Sequence, residues 1–233
     1  MPSAKDIKDW YNDMYAKSGA ESMRPFEAYS VFLEFMGAES GKKHLDVSCG
    51  TGYLLLASTK AGLETYGVDI SEEAVKVAKS VTPESKIEVC PGEDLKFDDG
   101  TFDFVSCLGS LEHFLDMSKG LQEMKRVAKD SARFCIVVPN SRFIYWKFTS
   151  DTGTEQQDIN ETLMTDKQWR ELFVKNDFEI IGVHQDKWFM KRIRIFVSAN
   201  PFKIIKNAMI KLIWSFLPLD WTYQFIYIMR KAK

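Results

Sequence analysis

The sequence predicts an α/β fold in which a doubly wound, mostly parallel sheet carries helices on both faces. Across residues 43–138, short apolar strands alternate with helix-forming segments, a pattern typical of β-α-β units with right-handed crossovers. Two of these strands end in an acid, Asp46 and Asp69, and a glycine turn follows the first. Because ligands of such folds bind beyond the carboxyl ends of the strands, we expect the functional site at this edge.

The individual elements follow from apolar runs bounded by turn and capping signals. Strands are predicted near residues 43–48, 64–69, 86–90, 102–107 and 132–138, and helices near 52–61, 72–80 and 113–129. Thr165 and Gln168 form a capping-box pattern that opens a helix ending near Asn176. Two further apolar strands are predicted at 178–184 and 223–230.

Composition indicates one soluble domain spanning residues 1–233. The chain is 45% hydrophobic and 27% charged with a net charge of −2, which argues against a nucleic acid as obligate partner. The amino end lacks the apolar run of a signal peptide, which favours a cytoplasmic location. The cysteines have no C-x-x-C spacing, so we expect reduced, buried thiols rather than a zinc site or disulfides: Cys49, Cys90, Cys107 and Cys135.

The glycine turn after the first strand is the most informative local feature. Gly50 and Gly52 allow the backbone to approach a ligand closely, and the following helix directs its first N–H groups to the same place. A dinucleotide-binding turn needs a third glycine where this chain has Leu55, and Asp46 would repel a pyrophosphate there. A ligand that carries positive charge fits the turn better.

Two later acids extend this predicted ligand site. Asp69 lies 23 positions after Asp46, close to the offset of about 20 residues at which an acid accepts hydrogen bonds from a ribose diol. After the next strand, Gly92-Glu-Asp-Leu-Lys-Phe places Asp94 where it could accept from an adenine amino group. Each signal is common alone, but here all three occur in the right order.

With these motifs, the chain resembles the class I S-adenosylmethionine-dependent methyltransferases. The matching segments are Asp46-Val-Ser-Cys-Gly-Thr-Gly52, Asp69, Glu93-Asp94-Leu95 and Phe102-Asp-Phe-Val-Ser-Cys-Leu-Gly-Ser-Leu-Glu-His-Phe114, and the resemblance covers about residues 30–186. It implies a Rossmann-like sheet of seven strands with a C-terminal antiparallel hairpin, and S-adenosylmethionine as cofactor. The family's turn reads (Asp/Glu)-x-Gly-x-Gly-x-Gly; Ser48 replaces its first glycine, and we expect it to fit with a negative φ.

The resemblance also implies cofactor contacts along the chain. They are Tyr11, Asp46, Ser48, Cys49, Gly50, Gly52, Tyr53, Asp69, Ile70, Glu93, Asp94, Leu95 and Leu108. Tyr11 belongs to the aromatic segment 1–30, which in similar enzymes folds over the cofactor as a lid, and Tyr15 and Arg24 are further candidates in it. A helix that merely packs on the sheet is an equally good interpretation of this segment.

Two insertions are candidates for contacts with a substrate or partner. Residues 139–164 exceed an ordinary loop and are expected to cap the site, with Arg142, Tyr145, Trp146 and Lys147 suited to a sugar or an anionic group. Residues 189–219 mix basic with apolar side chains but hold no run that could span a bilayer. This composition is compatible with contact with a membrane surface or a lipid-linked substrate. The favoured alternative is a homodimer face or a helical cover for the sheet.

Among the three histidines, His113 is the candidate for chemistry. It follows the fourth strand, where the family's catalytic groups lie, and a histidine suits a base at neutral pH, although it could equally serve only to order the loop. Glu112 could orient His113 or ligate a metal with it, as in similar quinone-pathway methyltransferases. Those enzymes carry another acid where this chain has Gly109, so we expect no metal. His44 and His184 are expected to be structural.

The leading hypothesis is a methyltransferase that acts on a hydroxyl, or less favourably an amine, of a small molecule, sugar or lipid-linked glycan. The preference for a glycan rests partly on analogy. A non-catalytic protein that binds S-adenosylmethionine is one alternative, since its glycine turn would look the same. A nucleotide-dependent oxidoreductase is a weaker alternative because the third glycine is missing and Asp46 is present.

Overall fold

The computed structural model describes residues 2–19, 24–147, 159–187 and 216–233, together with positions 205, 209 and 212. The side chains of Tyr145 and Lys147, both predicted substrate contacts, lie outside the described part of the chain. So does most of the predicted insertion 189–219, including its six basic residues.

One sheet organises the described chain. Its strands are β1 (Lys43–Val47), β2 (Glu64–Asp69), β3 (Lys86–Val89), β4 (Phe102–Leu108), β5 (Ala128–Pro139), β6 (Phe178–Gln185) and β7 (Gln224–Lys231), in the spatial order β3-β2-β1-β4-β5-β7-β6. The first five strands pair in parallel, whereas β7 runs antiparallel to both β5 and β6. The predicted sheet and its closing hairpin are therefore confirmed. Strand order reverses between β1 and β4, so the crevice lies beyond their carboxyl ends.

Helices cover both faces of this sheet. Within the described ranges they are α1 (Ala4–Ser18), α2 (Ser30–Met36), α3 (Tyr53–Lys60), α4 (Glu72–Val81), α5 (Met117–Val127) and α6 (Asp166–Lys175). Thr165 and Gln168 form the capping box of α6 that the sequence predicted, and Ser3 and Asp6 form a second one on α1. Short 3₁₀ turns lie at Phe26–Ala28, Leu111–His113, Ile144–Lys147 and Leu219–Trp221.

Two boundaries differ from the sequence prediction, and one helix was not predicted. The helix expected from residue 113 begins at Met117, because Asp116 accepts the N–H of Lys119 at 2.9 Å and thereby caps it. β5 begins at Ala128 rather than near 132, because Ala128 already pairs with Phe102 ahead of a register shift in β4. The short helix α2 was not predicted.

Alternate side chains of β5 pack into hydrophobic cores on opposite faces of the sheet. Phe134, Ile136 and Val138 belong to the core beneath α5 and α6, whereas Cys135 and Val137 belong to the core beneath α2 and α3. This alternation is what a strand buried on both faces requires. All four cysteines are buried free thiols, as predicted. None of the helices in the described ranges has the length and apolar character needed to cross a bilayer.

Candidate active site

The turn between β1 and α3 is held in a left-handed backbone conformation. φ is positive at Ser48, Gly50 and Gly52, at 59°, 51° and 77°. A Cβ at Gly50 would lie 2.7 Å from the Tyr15 hydroxyl, and one at Gly52 would lie 3.0 Å from the Cβ of Ala78, so both positions need glycine. The expectation of a negative φ at Ser48 is wrong. A non-glycine residue in this region is unfavourable by about 1–2 kcal/mol, so the surrounding turn imposes the conformation.

That left-handed residue directs the chain back onto the end of β2. The N–H of Cys49 donates to the carbonyl of Val68 at 2.9 Å, and the N–H of Gly50 donates to the carboxylate of Asp69 at 2.9 Å. The other oxygen of Asp69 accepts the N–H of Ser71 at 3.0 Å. Burial raises the pKa of Asp69 to about 6, against the lowering effect of these N–H groups. The acid predicted to hold a ribose also shapes the turn.

A chain of hydrogen bonds runs from Asp46 into the sheet. Ser106 Oγ lies 2.5 Å from the Asp46 carboxyl and 2.9 Å from Nε2 of His44, and Nδ1 of His44 lies 2.8 Å from Ser58 Oγ. The Ser58 hydroxyl donates to the Leu54 carbonyl at 2.9 Å. The Ser106 hydroxyl donates to the Asp46 carboxyl, so Ser106 connects Asp46 to the His44 ring.

Burial favours the neutral forms of both His44 and Asp46. It lowers the pKa of His44 to about 3. It also raises the pKa of Asp46 to about 7, with the Ser106 hydroxyl opposing and Asp69 adding to the rise. His44, expected to be only structural, therefore belongs to the environment that sets the charge of Asp46. No sequence signal joined these residues, since Ser106 lies 60 positions beyond Asp46.

Helix α1 lies over the turn and is fastened to the start of α4. The side-chain oxygen of Asn12 accepts the Ser71 hydroxyl at 2.7 Å, and its amide donates to Glu72 at 3.0 Å. The rings of Tyr11 and Tyr15 stack with centroids 6.3 Å apart, and burial raises the pKa of both well above the ordinary value. Segment 1–30 thus combines both interpretations, because its helix packs on a neighbour and places two tyrosines over the site.

Other predicted cofactor residues lie along the same edge. Tyr53 opens α3, Ile70 directly follows β2, and Leu108 ends β4. All three are half-buried. They therefore surround the turn from the carboxyl ends of three central strands.

The segment after β3 fits its predicted role less well. The Asp94 side chain is 58% exposed and pairs with Lys96 at 2.5 Å. Leu95 is buried in the core, and its N–H donates to Glu123 at 2.8 Å. The Glu93 side chain accepts the backbone N–H of Leu115, which lies beyond β4, at 3.0 Å. The Asp94 carboxylate is therefore exposed to solvent, and its assignment to an adenine amino group stays a prediction.

The 3₁₀ turn after β4 buries both predicted catalytic residues. Nδ1 of His113 lies 3.0 Å from the carbonyl of Ile159, and because a carbonyl only accepts, Nδ1 carries the proton and Nε2 the lone pair of the neutral ring. The carbonyl of Glu112 accepts the N–H of Thr162 at 2.9 Å. The ring of Tyr11 meets the His113 ring edge-on at 6.2 Å. The end of the cap insertion and α1 therefore converge on this turn.

Glu112 lies in an unusual environment. Its side chain is 2% exposed, and within the described chain its Oε2 has no hydrogen-bond partner. Burial raises its pKa to about 8, with repulsion from Glu161 contributing. Glu161 was not identified from the sequence, because it lies in a loop without a motif.

Of the four predicted substrate contacts in the cap insertion 139–164, the structure describes the side chains of Arg142 and Trp146. The Arg142 side chain is exposed, and its backbone N–H donates to Asn140 at 2.9 Å. Trp146 packs edge-on against Phe143, with ring centroids 5.6 Å apart. The structure therefore shows Trp146 within an aromatic cluster and Arg142 facing solvent.

A buried guanidinium on the same edge joins the two ends of the chain. Arg24 forms an ion pair with Asp186, and its Nη2 donates to the side-chain oxygen of Gln224 at 2.6 Å. Its Nη1 is buried without a hydrogen-bond partner in the described structure. Arg24 was a candidate lid residue, but Gln224 was missed because it lies 200 positions away.

Comparison with known sequences identifies the central segment. Residues 45–136 match the family described as a methyltransferase domain. The uncharacterized methyltransferase YcgJ of Bacillus subtilis is 36% identical over 118 residues, 48% of this chain and 47% of that protein. The C-methyltransferase UbiE of ubiquinone/menaquinone biosynthesis from Geobacter sp. is 31% identical over 111 residues (44% and 47%). Ajmaline N-methyltransferase of Rauvolfia serpentina is 36% identical over 127 residues (51% and 44%). The chain spans about half the length of the curated relatives it matches.

Solved structures match over nearly the whole chain. Geranyl diphosphate C-methyltransferase from Streptomyces coelicolor, solved with S-adenosyl-L-homocysteine, has a TM-score of 0.70 at 14% identity and covers 100% of this chain and 99% of its own. The [4+2]-cyclase SpnF has a TM-score of 0.69 at 15% identity, with 99% and 97% covered. At such identities the likeness shows the fold alone.

Proposed function

We propose that this chain is a class I S-adenosylmethionine-dependent methyltransferase that binds S-adenosylmethionine at the glycine turn and methylates a small molecule. The acceptor is a hydroxyl of a small molecule, sugar or lipid-linked glycan, with an amine as the second choice. The observation that carries this proposal is the pair of buried acids, Asp46 and Asp69, set around a turn that a side chain would fill.

The residues at the turn fit this cofactor. Asp46 and Asp69 offer carboxylates to an ammonium group and a ribose diol. Gly52 precedes α3 and supplies no side-chain cap, so the first N–H groups of the helix suit a carboxylate. When bound, S-adenosylmethionine supplies an electrophilic methyl group on a positively charged sulfur. The protein's task is then to hold the acceptor in line and to exclude water, which the half-buried ring of Tyr11 and the buried ring of Tyr15 support.

His113 is placed to take the proton of a hydroxyl acceptor. Its Nδ1–H is engaged by the Ile159 carbonyl, which fixes the ring orientation and leaves the basic lone pair on Nε2. The alternative, in which His113 only ties the turn to the cap insertion, uses the same hydrogen bond.

Methyl transfer by His113→Ala separates these two roles. We expect S-adenosylhomocysteine affinity within about threefold of wild type, and methyl transfer from labelled S-adenosylmethionine into a small-molecule extract reduced by about 10²–10⁴-fold. His184→Ala is the matched control, because His184 stacks on Phe35 with ring centroids 4.0 Å apart and is structural. Unchanged transfer by His113→Ala removes its role as base. No transfer by wild type despite cofactor binding favours the non-catalytic alternative.

We also propose that the insertion 189–219 contacts an anionic lipid surface. Residues 188–219 contain six basic and no acidic side chains. Four apolar side chains in this region are more than half exposed and are spaced as on one helix face: Ile205, Met209, Leu212 and Phe216. Wild type should sediment with phosphatidylglycerol vesicles and not with phosphatidylcholine vesicles, and Leu212→Glu should weaken this binding. A dimer in light scattering that Leu212→Glu disrupts, without vesicle binding, supports the homodimer face instead.

A further inference from the structure

The role proposed for His113 leaves the neighbouring carboxylate without a function. Glu112 is almost fully buried, and its Oε2 makes no hydrogen bond within the described chain. An ionised carboxylate in such a place is unfavourable by several kcal/mol unless a cation or several donors reach it. This penalty is why burial raises the pKa of Glu112 to about 8.

The described groups around Glu112 do not supply that cation. Glu161 acts on it with the same sign of charge. The charge of Glu112 in turn raises the pKa of the Tyr11 phenol, so the Tyr11 side chain lies within its electrostatic reach. Glu112 therefore holds its proton at neutral pH in the empty site, and a cation bound beside it would favour the ionised form.

Space for a partner lies beside the carboxylate. Gly109 has a φ of 63°, and a Cβ placed there would stand 4.0 Å from Oε1 of Glu112 and 3.7 Å from Nε2 of Gln224. Both distances are ordinary van der Waals contacts, so a methyl-sized group fits beside Gly109 and next to the Glu112 carboxylate without overlap.

We propose that Glu112 binds an ammonium group of the methyl acceptor, so that the substrate is an amine-bearing small molecule such as an amino sugar or an amino alcohol. This inference rests on the proposed function and narrows its substrate class. A hydroxyl in the same place would donate one hydrogen bond, but it would carry no charge to offset the ionisation of Glu112. An ammonium offsets that charge and donates to Oε2 as well.

The aromatic ring nearby strengthens the same preference. The half-buried Tyr11 ring lies within the electrostatic reach of the carboxylate, and aromatic faces stabilise cations by about 0.5–2 kcal/mol. Glu112 is therefore a residue that determines specificity, whereas His113 remains the candidate base.

Calorimetry with matched amines and alcohols tests this assignment. Wild type is titrated with 2-phenylethylamine against 2-phenylethanol and with glucosamine against glucose, both with and without saturating S-adenosylhomocysteine. We expect at least one amine to bind ten times more tightly than its alcohol. Glu112→Gln, which keeps the shape and removes the charge, should reduce this preference below twofold. Glu161→Gln is the matched control and should keep at least a fivefold preference.

Each result supports or overturns the assignment. Equal affinity for amines and alcohols in wild type, absence of binding by both amines, or an undiminished preference in Glu112→Gln overturns it. Retained S-adenosylhomocysteine binding shows that the variant is folded, and Glu112→Asp, which keeps the charge, should keep part of the preference. An amine preference without any S-adenosylhomocysteine binding would support the carboxylate site and overturn the proposed function instead.

Discussion

Replacing Asp46 by Asn should stabilise the protein while weakening cofactor binding. The Ser106 hydroxyl donates to the Asp46 carboxyl at 2.5 Å, and the side-chain oxygen of an Asn can accept the same hydrogen bond. The substitution therefore preserves this hydrogen bond and removes the buried negative charge. The same charge is what a positively charged ligand needs.

The magnitude follows from the pKa of Asp46. Burial raises this pKa from 3.8 to about 7, so the folded state holds the proton more tightly than the unfolded state. The resulting stabilisation is fully present below pH 3.8 and is lost as the pH rises through about 7. Ionising Asp46 therefore destabilises the wild type by about 4 kcal/mol at pH 8, and its residual penalty at pH 5 is about 2 kcal/mol. Asp46→Asn should exceed wild type by these amounts.

Thermal and urea unfolding without ligand measure this difference. At pH 8 the melting temperature of Asp46→Asn should rise by about 10 °C, and the gain should shrink at pH 5. Asp103→Asn is a control of opposite sign. The Lys129 ammonium and the Lys43 N–H outweigh burial and hold the pKa of Asp103 below its ordinary value, so this variant should lose stability at pH 8.

Ligand binding completes the test of Asp46. We expect Asp46→Asn to bind S-adenosylmethionine about 10–100 times more weakly, because a charge-assisted contact contributes about 1.5–3 kcal/mol. A variant less stable than wild type at pH 8, or a stability gain that does not shrink in acid, would refute the conclusion that burial raises the pKa of Asp46.

Three further predictions concern the turn and its lid. Asn12→Ala removes the side-chain hydrogen bonds between α1 and the start of α4. We expect faster hydrogen exchange across α1 and S-adenosylhomocysteine affinity lowered by about tenfold. Faster exchange without weaker binding would show that α1 is no lid. Ser48→Gly relieves the strain of a positive φ and should raise the free energy of unfolding by about 0.5–1 kcal/mol. Asp177→Gly, at a φ of 60° far from the site, is the control and should give a similar gain. A loss of stability in Ser48→Gly would show that the Ser48 side chain holds the turn. S-adenosylmethionine affinity should rise about tenfold from pH 6 to pH 8 as Asp46 ionises, with protons released in calorimetry; a flat profile would exclude Asp46 as the titrating group.

Local patterns predicted the fold because each of them has one dominant physical cause. Alternation of apolar strands with capped helices places β1 to β5, and the capping box of Thr165 and Gln168 marks α6 within a residue. Boundaries failed where tertiary contacts decided them. Ala128 is drawn into β5 by pairing with Phe102, which no local pattern announces.

The candidate site was predictable only where it follows the chain closely. Asp46, Gly50 and Asp69 lie at strand ends and turns, and their sequence spacing is the signal. Sheet pairing places His44 beside the site, and loop packing places Glu161 there. Patterns in a single sequence carry no information on such long-range contacts. The same reason explains Ser48. Its residue type is a weak guide to φ, and the turn geometry overrides it.

Calorimetric titration of the wild-type chain with S-adenosylhomocysteine and with NAD tests the central claim most directly. The account predicts micromolar binding of S-adenosylhomocysteine, corresponding to about −8 kcal/mol, and no binding of NAD. Tight NAD binding, or S-adenosylhomocysteine binding that survives Gly50→Val unchanged, would contradict it, since a side chain at Gly50 cannot enter the turn without displacing Tyr15.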